Sequence, residues 1–477
     1  MIIMKFGGTS TQDAAAMLNV TEIVKSHLHK HPFVVISAIA QATNQLEQMC
    51  NLAKSGDLEG GQVVLKNFIK RHLYIVNQAI TDPVEKIAIN TKINNIGEEL
   101  AELIRGVAII KELTPRILDK FYSYGELLSS MIVYHIMKEK GIDSLWIDTK
   151  DFMITDDNYN RALPVMESVH DKLISLTGDL LKEGKTLVTQ GFIGFTLDGD
   201  RTTMGRESSD FSAAIIGSVL NAEDIQIWTD VDGILTGDPN IVENPKKIKV
   251  LSFEEAYELS LLGAKVLHPN TMLPALEKNI PIHVFNSKRP QISGTLVSNS
   301  ANTFTPQNAS VIKSVTYKTN INLINIRPKV RSTPFVFWEH IFNLFTKYKI
   351  NPLLTSTSEF KFSAAFETKS NIDSLKHEIG EIGDFKIKEG LALISLVGSN
   401  VLHDYSLNEK IFSEFRRTKI NFMSFGTSES SISFMIPVDH FKETVRRLHQ
   451  IFFETQDDSN IFESLQTTNI ITPDKEA

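Results

Sequence analysis

Several short stretches of this chain concentrate charge, hydroxyls and glycine in patterns suited to anion chemistry. KFGGTS (residues 5–10) places a lysine ahead of two glycines and two hydroxyls, behind an apolar run. A strand entering a Gly-Gly turn bares its backbone. An anion can then approach amide N–H groups closely, and an ammonium nearby offsets its charge. Lys5, Gly7, Gly8, Thr9 and Ser10 are candidates for a phosphate cradle. It is not a GxxxxGK[ST] loop, because the lysine precedes the glycines. A plain strand–turn–helix junction capped by Thr9 or Ser10 is the alternative.

In GDRTTMGRESSDFSAAI (199–215), Arg201 and Arg206 precede a helix opened by Ser208, Ser209 and Asp210. An arginine fork reads carboxylates and phosphates, and a helix N-terminus adds N–H donors. Simple capping by Ser208 or Ser209 is compatible with this but leaves two arginines unexplained. WTDVDGILTGDPN (228–240) carries Asp230, Asp232 and Asp238 among glycines, which suits a nucleotide, Mg²⁺ or an ordinary turn. GAKVLHP (263–269) offers Lys265 as a second phosphate contact or a solvated lysine; His268 reads as structural. YSYGELLSS (122–130) sets Gly125 beside Glu126 in a helical run. A mid-helix glycine costs up to ~1 kcal/mol, which suggests close approach by something; otherwise Glu126 lies on a wet face. VVISAIAQATNQ (34–45) ends a strand at Ser37 and Ala38 and then presents Thr43 and Asn44.

These stretches need elements to hold them. Over residues 1–298, strand-like runs IIMKF (2–6), FVVIS (33–37), SLWID (144–148), TLVTQ (186–190) and IQIWT (225–229) alternate with helical patterns. Near-continuous apolarity in the strands predicts a sheet covered on both faces, with ligands at its carboxyl edge. A helical insert at about 58–140 should cap the sheet. SNSANTFTPQNAS (298–310) reads as a linker. Beyond it, IFNLFTKYKINPLLTSTSE (341–359) recurs as IFSEFRRTKINFMSFGTSE (411–429). With leading strands at 321–326 and 391–397, each copy reads as a βαββαβ plait. The polar tail past about 460 is expected to fray.

At 477 residues the chain is too long for one core. A net charge of −8 argues against general nucleic-acid binding, and a single cysteine, Cys50, excludes an internal disulfide. No apolar run reaches membrane-span length and no secretory leader is visible, so a cytoplasmic location is expected.

In order, KFGGTS, SA…TN (37–44), GE (125–126), GRxxSD (205–210), WTDVDGI (228–234) and GAKVLHP resemble the signatures of the monofunctional aspartate kinases. The resemblance covers nearly the whole chain. It implies an α/β protein: a three-layer αβα amino-acid-kinase domain with a mostly parallel central sheet (1–298), a linker (299–310), two ferredoxin-like ACT domains (311–389 and 390–462) and a tail (463–477). The first strand after the linker is open to assignment to either ACT domain.

The implied reaction phosphorylates the β-carboxylate of L-aspartate with ATP and Mg²⁺, the first step towards lysine, threonine and methionine. Lys5, Gly7, Gly8 and Asp210 carry the implied catalysis. Thr43, Glu126, Arg206 and Ser209 bind aspartate, with Arg206 on the α-carboxylate and Glu126 on the α-ammonium. Lys5, Ser10, Ser37, Thr229, Asp230, Asp238 and Lys265 bind nucleotide; no protein-held metal site is implied. A homodimer or tetramer with an amino-acid effector at the ACT domains follows, and neither nucleic acid nor membrane is a partner. The chain departs from the pattern at Glu207 and Ser208 (Gly-Gly), Leu235 (Tyr) and Asn240 (Arg). Val336 and Leu353 replace the glycine and aspartate of the effector pocket, so lysine feedback is expected to be weak or replaced by another effector. A relative acting on another acid and a catalytically silent amino-acid sensor are the competing expectations.

Overall fold

A computed structural model describes residues 1–264, 267–299, 311–329, 333–367, 372–402, 405–416, 418–454 and 461–465. The chain forms two compact units: Met1–Ile234 with Asn270–Asn299, and Leu235–Pro269 with Ser300–Ala477.

In the first unit the expected apolar runs are strands: β1 (Ile2–Phe6), β2 (Pro32–Ile36), β3 (Ser144–Trp146) and β4 (Thr186–Gln190). A short hairpin of β5 (Ile193–Phe195) and β6 (Arg201–Thr203) follows, then β7 (Asp224–Thr229). The sheet order is β3-β4-β2-β1-β7, continued by Ile282–Asn286 and Thr295–Val297. All neighbours run parallel except the last pair. Every residue of β1, β2 and β4 is buried, as a doubly covered parallel sheet requires.

Both faces are covered. Met4 and Phe6 belong to a core shared with α1 (Ala14–Ser26), α2 (Ala42–Ser55), α3 (Leu58–Ala79), α4 (Pro83–Ile110) and α5 (Pro115–Glu139). The expected helical insert is thus three long helices beside the sheet. On the opposite face, after α6 (Met166–Lys182), comes α7 (Ser209–Val219). A Cβ on its Gly217 would lie 3.0 Å from Ile225 and 3.3 Å from Ile3. Side chains alternate along a strand, so Lys5 shares the Ile3 face and points towards α7.

Register sets the carboxyl edge. Phe6 is level with Ile36 and Trp228, and Ile36 is level with Gln190. Gly7, Ser37 and Gly191, each one residue beyond its strand, therefore form a row with Thr229, the last residue of β7.

The second unit holds a six-stranded antiparallel sheet ordered Leu354–Ser358, Lys361–Glu367, Val311–Pro328, Gly383–Ser399, Ser431–Pro437, Phe422–Ser424. Two strands span both plaits. Residues 321–328 pair with 383–388 and 391 in the first plait, and 311–318 pair with 393–399 in the second. The first strand after the linker is thus divided, its leading half completing the second plait. Helices Pro334–Lys347 and Ile372–Ile382 belong to the first, Tyr405–Glu414 and Phe441–His449 to the second.

Two findings differ from the sequence reading. Residues past 460 do not all fray: Phe462–Ser464 is a strand paired with Lys246–Ile248, and Phe462 packs on Phe453 with ring centroids 5.7 Å apart. Polar composition hid a single buried aromatic able to anchor it. Residues 235–269 group with the second unit. The buried pair Lys313–Glu255 (2.7 Å), the Thr236–His449 bond (2.9 Å) and the Tyr317 hydroxyl on Asp238 (2.7 Å) hold them there.

Candidate active site

The Gly-Gly turn continues β1 without breaking its pairing. The Gly7 amide donates to the Trp228 carbonyl at 2.9 Å, so it is not the bare phosphate donor expected of it. A Cβ on Gly7 would make ordinary contacts, 3.5 Å from the Trp228 oxygen and 3.8 Å from Lys5 Nζ, so packing alone does not require glycine there. Gly8 is required for close approach, since a Cβ would lie 2.8 Å from the Ala38 carbonyl oxygen. Residues 8–11 form a 3₁₀ turn, and α1 is capped by Asp13, whose Oδ1 accepts from Ala16 at 2.8 Å. Thr9 and Ser10 are thus not its caps. The Ser10 hydroxyl lies 2.7 Å from Ser287 Oγ and 3.2 Å from the Trp228 carbonyl, tying the turn to the end of β7.

Lys5 and Asp210 meet at 2.5 Å (Nζ to Oδ1), both buried. Gly191 makes this possible. A Cβ on Gly191 would be 2.6 Å from Ser209 Cβ, so only glycine lets α7 begin against the end of β4. Sequence reading missed Gly191, although its signal was the same as for KFGG: a glycine directly behind an apolar strand. Ser208 precedes α7 without a side-chain capping bond, which removes the capping explanation.

Glu126 is buried on α5, not on a wet face. The close approach inferred from Gly125 is real: a Cβ there would meet Ala38 Cβ at 2.9 Å. Burial pushes the Glu126 carboxyl up to about 8; amides of Ala38 and of Glu126 itself, and the Lys5 charge, act in the opposite sense. One oxygen, Oε2, is buried without a hydrogen-bond partner. A buried carboxylate left partly unpaired is costly. Such a group is suited to receiving a cation.

Arg206 lies between two left-handed residues, Gly205 (φ +97°) and Glu207 (φ +66°). Glu207 thus adopts a backbone conformation that favours glycine, at a cost of about 1 kcal/mol. This turn carries the Arg206 guanidinium to Glu47 of α2, at 2.5 Å in an exposed pair. The Tyr122 phenol, pushed up to about 12 chiefly by burial, faces both Glu47 and Arg206. Thr43 and Glu47 share one face of α2, and Tyr122 and Glu126 share one face of α5, each pair a turn apart. The Lys5 charge acts on Glu126 across the strand ends, and the Arg206 guanidinium acts on Tyr122, one turn away on α5. Lys5, Glu126, Ser209 and Asp210 gather at the strand ends, Arg206 sits with Glu47 and Tyr122, and Thr43 is tied to them through its place one turn from Glu47 on α2. Glu47 and Tyr122 join that end; the sequence reading singled out neither, although Tyr122 opens the YSYGELLSS stretch.

On the β7 side, the Thr229 carbonyl accepts from the Ser287 amide (2.7 Å) and hydroxyl (3.0 Å), leaving the Asp230 side chain exposed. Ser37 is buried at the end of β2, and its carbonyl accepts from Ser129 at 2.7 Å. Asp232 is occupied structurally by Asn286 (2.6 Å) and Arg289 (2.5 Å). Arg201 lies over the Tyr124 ring at 4.6 Å and does not join Arg206. Asp238 belongs to the second unit, where Tyr317 and the Asn240 amide engage it. Lys265 lies outside the described residues. No cluster of three His, Cys, Asp or Glu fit to hold a metal occurs among the described residues. No helix among them is long and apolar enough to cross a membrane.

This arrangement offers one buried cation, Lys5, and one exposed cation, Arg206, to a dianionic acid and a phosphate. Residues 1–286 match the amino acid kinase family, and 394–452 match an ACT domain. The chain is 30% identical to lysine-sensitive aspartokinase 3 of Escherichia coli, over 95% of this chain and 99% of that one. It is 31% identical to chloroplastic aspartokinase 2 of Arabidopsis thaliana, over 95% and 84% respectively. The E. coli aspartokinase III structure with aspartate and ADP (R-state) superposes with a TM-score of 0.84, at 30% identity over 95% of this chain and all of that one. The structure of the same enzyme with lysine and aspartate (T-state) gives 0.73, at 30% identity over 95% and 99%.

Proposed function

The chain belongs to the amino acid kinase family, among its aspartokinases, and from that premise we propose how its residues carry out the reaction. The protein is an aspartate kinase: the terminal phosphoryl of ATP passes to the β-carboxylate of L-aspartate, giving ADP and 4-phospho-L-aspartate.

An aspartate β-carboxylate has an ordinary pKa near ~4 and is already an anionic nucleophile at neutral pH. No general base is needed. The barrier is repulsion between carboxylate and phosphoryl oxygens, so positioning and charge neutralisation must supply the catalysis. Lys5 is placed to stabilise the transferring phosphoryl, with Asp210 orienting its ammonium. Arg206 takes the substrate α-carboxylate in a bidentate pair, releasing Glu47. Glu126 takes the α-ammonium, and Thr43 and Ser209 complete that end. Gly7 leaves the surroundings of the Lys5 ammonium free of a side chain, and Gly8 lets the loop after β2 close on the turn.

On the nucleotide side, Thr229 and Asp230 stand at the end of β7, with Ser10 and Ser37 supporting the neighbouring turns. Asp238 and Lys265 remain assigned to nucleotide by resemblance alone. Mg²⁺ fits a site in which the phosphates supply most of the oxygens, since exposed Asp230 is a hard donor while Asp210 is committed to Lys5. When bound, the ion neutralises phosphate charge.

The observation that carries this reading is the buried Lys5–Asp210 pair at the carboxyl edge, beside a carboxylate with an unpaired oxygen. The two plaits read as tandem ACT domains, and their edge strands Leu354–Ser358 and Phe422–Ser424 suit pairing in a homodimer. The test is trapping of the acyl phosphate by hydroxylamine: aspartyl hydroxamate should form only with ATP, Mg²⁺ and aspartate all present.

A further inference from the structure

Arg71, on α3, lies in none of the motifs that sequence reading selected. Its guanidinium donates from Nη1 to the Ala40 carbonyl at 2.7 Å and from Nη2 to the Gln12 carbonyl at 3.0 Å. These carbonyls end two different loops at the carboxyl edge, the turn after β1 and the loop after β2. The loops also touch directly. The Ala40 amide donates to the Gly8 carbonyl at 3.0 Å, and Gly8 leaves no room for a Cβ against Ala38.

The loop after β2 is strained. Gln41, the residue before α2, is left-handed at φ +66°, and its side chain makes no capping bond. A non-glycine residue held there costs on the order of 1 kcal/mol and persists only where its surroundings over-determine it. Arg71 supplies that constraint. In a trans peptide the carbonyl and the following amide point opposite ways, so holding the Ala40 carbonyl also sets the Gln41 amide. The first turn of α2, with Thr43, follows from it. The same loop brings Ala38 against Glu126 and Gly125. A planar fork holds two carbonyls on separate loops from two nitrogens in fixed geometry, whereas an ammonium would have to reach both from one nitrogen on a flexible stem.

We propose that Arg71 is a positioning residue for phosphoryl transfer, locking the Gly7–Gly8 turn to the Ser37–Thr43 loop before substrates bind. This rests on the aspartate kinase reading above. Preorganisation of this kind matters because misplacement by about 1 Å costs about 10²-fold in rate.

The experiment compares full-length wild type, Arg71→Lys and Arg71→Ala by kcat, KM for each substrate and thermal midpoint, with and without millimolar guanidinium chloride. Both variants should lose about 10²-fold in kcat. Their thermal midpoints should stay near that of wild type, and guanidinium should return part of the lost kcat to Arg71→Ala. If Arg71→Ala is poorly folded, Arg71→Lys carries the comparison. Variants within twofold of wild type would overturn the inference, as would a loss that guanidinium leaves untouched and that tracks unfolding. A wild type forming no aspartyl phosphate would sink the functional reading itself. An active wild type with indifferent variants would sink only this inference.

Discussion

Lys5 Nζ stands 2.5 Å from Asp210 Oδ1, joining the end of central strand β1 to the first turn of α7, the helix that covers that face of the sheet. Both side chains are nearly excluded from water, so each needs the other. Lys5→Ala should lower kcat by about 10³-fold, the upper range for loss of one charge-stabilising donor. Asp210→Ala strands a buried ammonium and should cost about 3 kcal/mol, read as a lower thermal midpoint. The double change Lys5→Met with Asp210→Leu should recover much of that midpoint while remaining inactive. A double variant as unstable as Asp210→Ala would show that the pair is not the cause.

Glu126 predicts a pH signature. Its carboxyl is pushed up to about 8 by burial. Between the ordinary carboxylate range and about 8, the folded free enzyme holds a proton that the unfolded chain has released. Stability must therefore fall as pH rises through that window. Glu126→Gln should flatten this dependence. In kinetics, the substrate ammonium needs the ionised form. The kcat/KM for aspartate should rise with pH and level off near 8, while kcat, which reports the bound state, should level off at lower pH. Glu126→Gln should raise the KM for aspartate by about 10–100-fold, the loss of a charged hydrogen bond.

Most of the fold and much of the site were legible in the sequence because they depend on local signals. Apolar runs marked β1, β2, β3, β4 and β7, and glycines behind strands marked the crevice edge. Gly125 signalled a close approach, and Ala38 is the residue that makes it. What escaped notice depends on contacts between distant segments. Glu47 and Arg71 are ordinary helix residues whose partners, Arg206 and the carbonyls of Ala40 and Gln12, lie 159, 31 and 59 positions away. The Gly7 amide is bound to Trp228 by a parallel register that no motif displays.

Arg206 is paired with Glu47. Arg206→Ala should raise the KM for aspartate by about 10²-fold or more, since a bidentate charged pair is lost. Glu47→Gln frees the guanidinium. An exposed ion pair is worth about 0–1 kcal/mol, so the KM for aspartate should fall by no more than about fivefold. A raised KM in Glu47→Gln would show that Glu47 orients Arg206 for the substrate.

Feedback by lysine should be weak. Val336 stands half-exposed in the first turn of helix Pro334–Lys347, and Leu353 immediately precedes strand Leu354–Ser358. Neither side chain can accept from an ammonium group. Titrating lysine into the hydroxamate assay should leave activity largely intact at low-millimolar concentrations. Half-inhibition in that range would contradict the prediction and point to acceptors elsewhere in the plait.

The central claim is that Lys5 and Arg206 serve one crevice in which an amino acid meets the nucleotide. Hydroxamate formation from ATP and Mg²⁺, measured with aspartate, glutamate and N-acetylglutamate for wild type, Lys5→Ala and Arg206→Ala, tests it most directly. The account predicts turnover of aspartate alone, lowered about 10³-fold by Lys5→Ala and, with Arg206→Ala, recoverable only at high aspartate. Turnover of another acid, or a fully active Lys5→Ala enzyme, would contradict it.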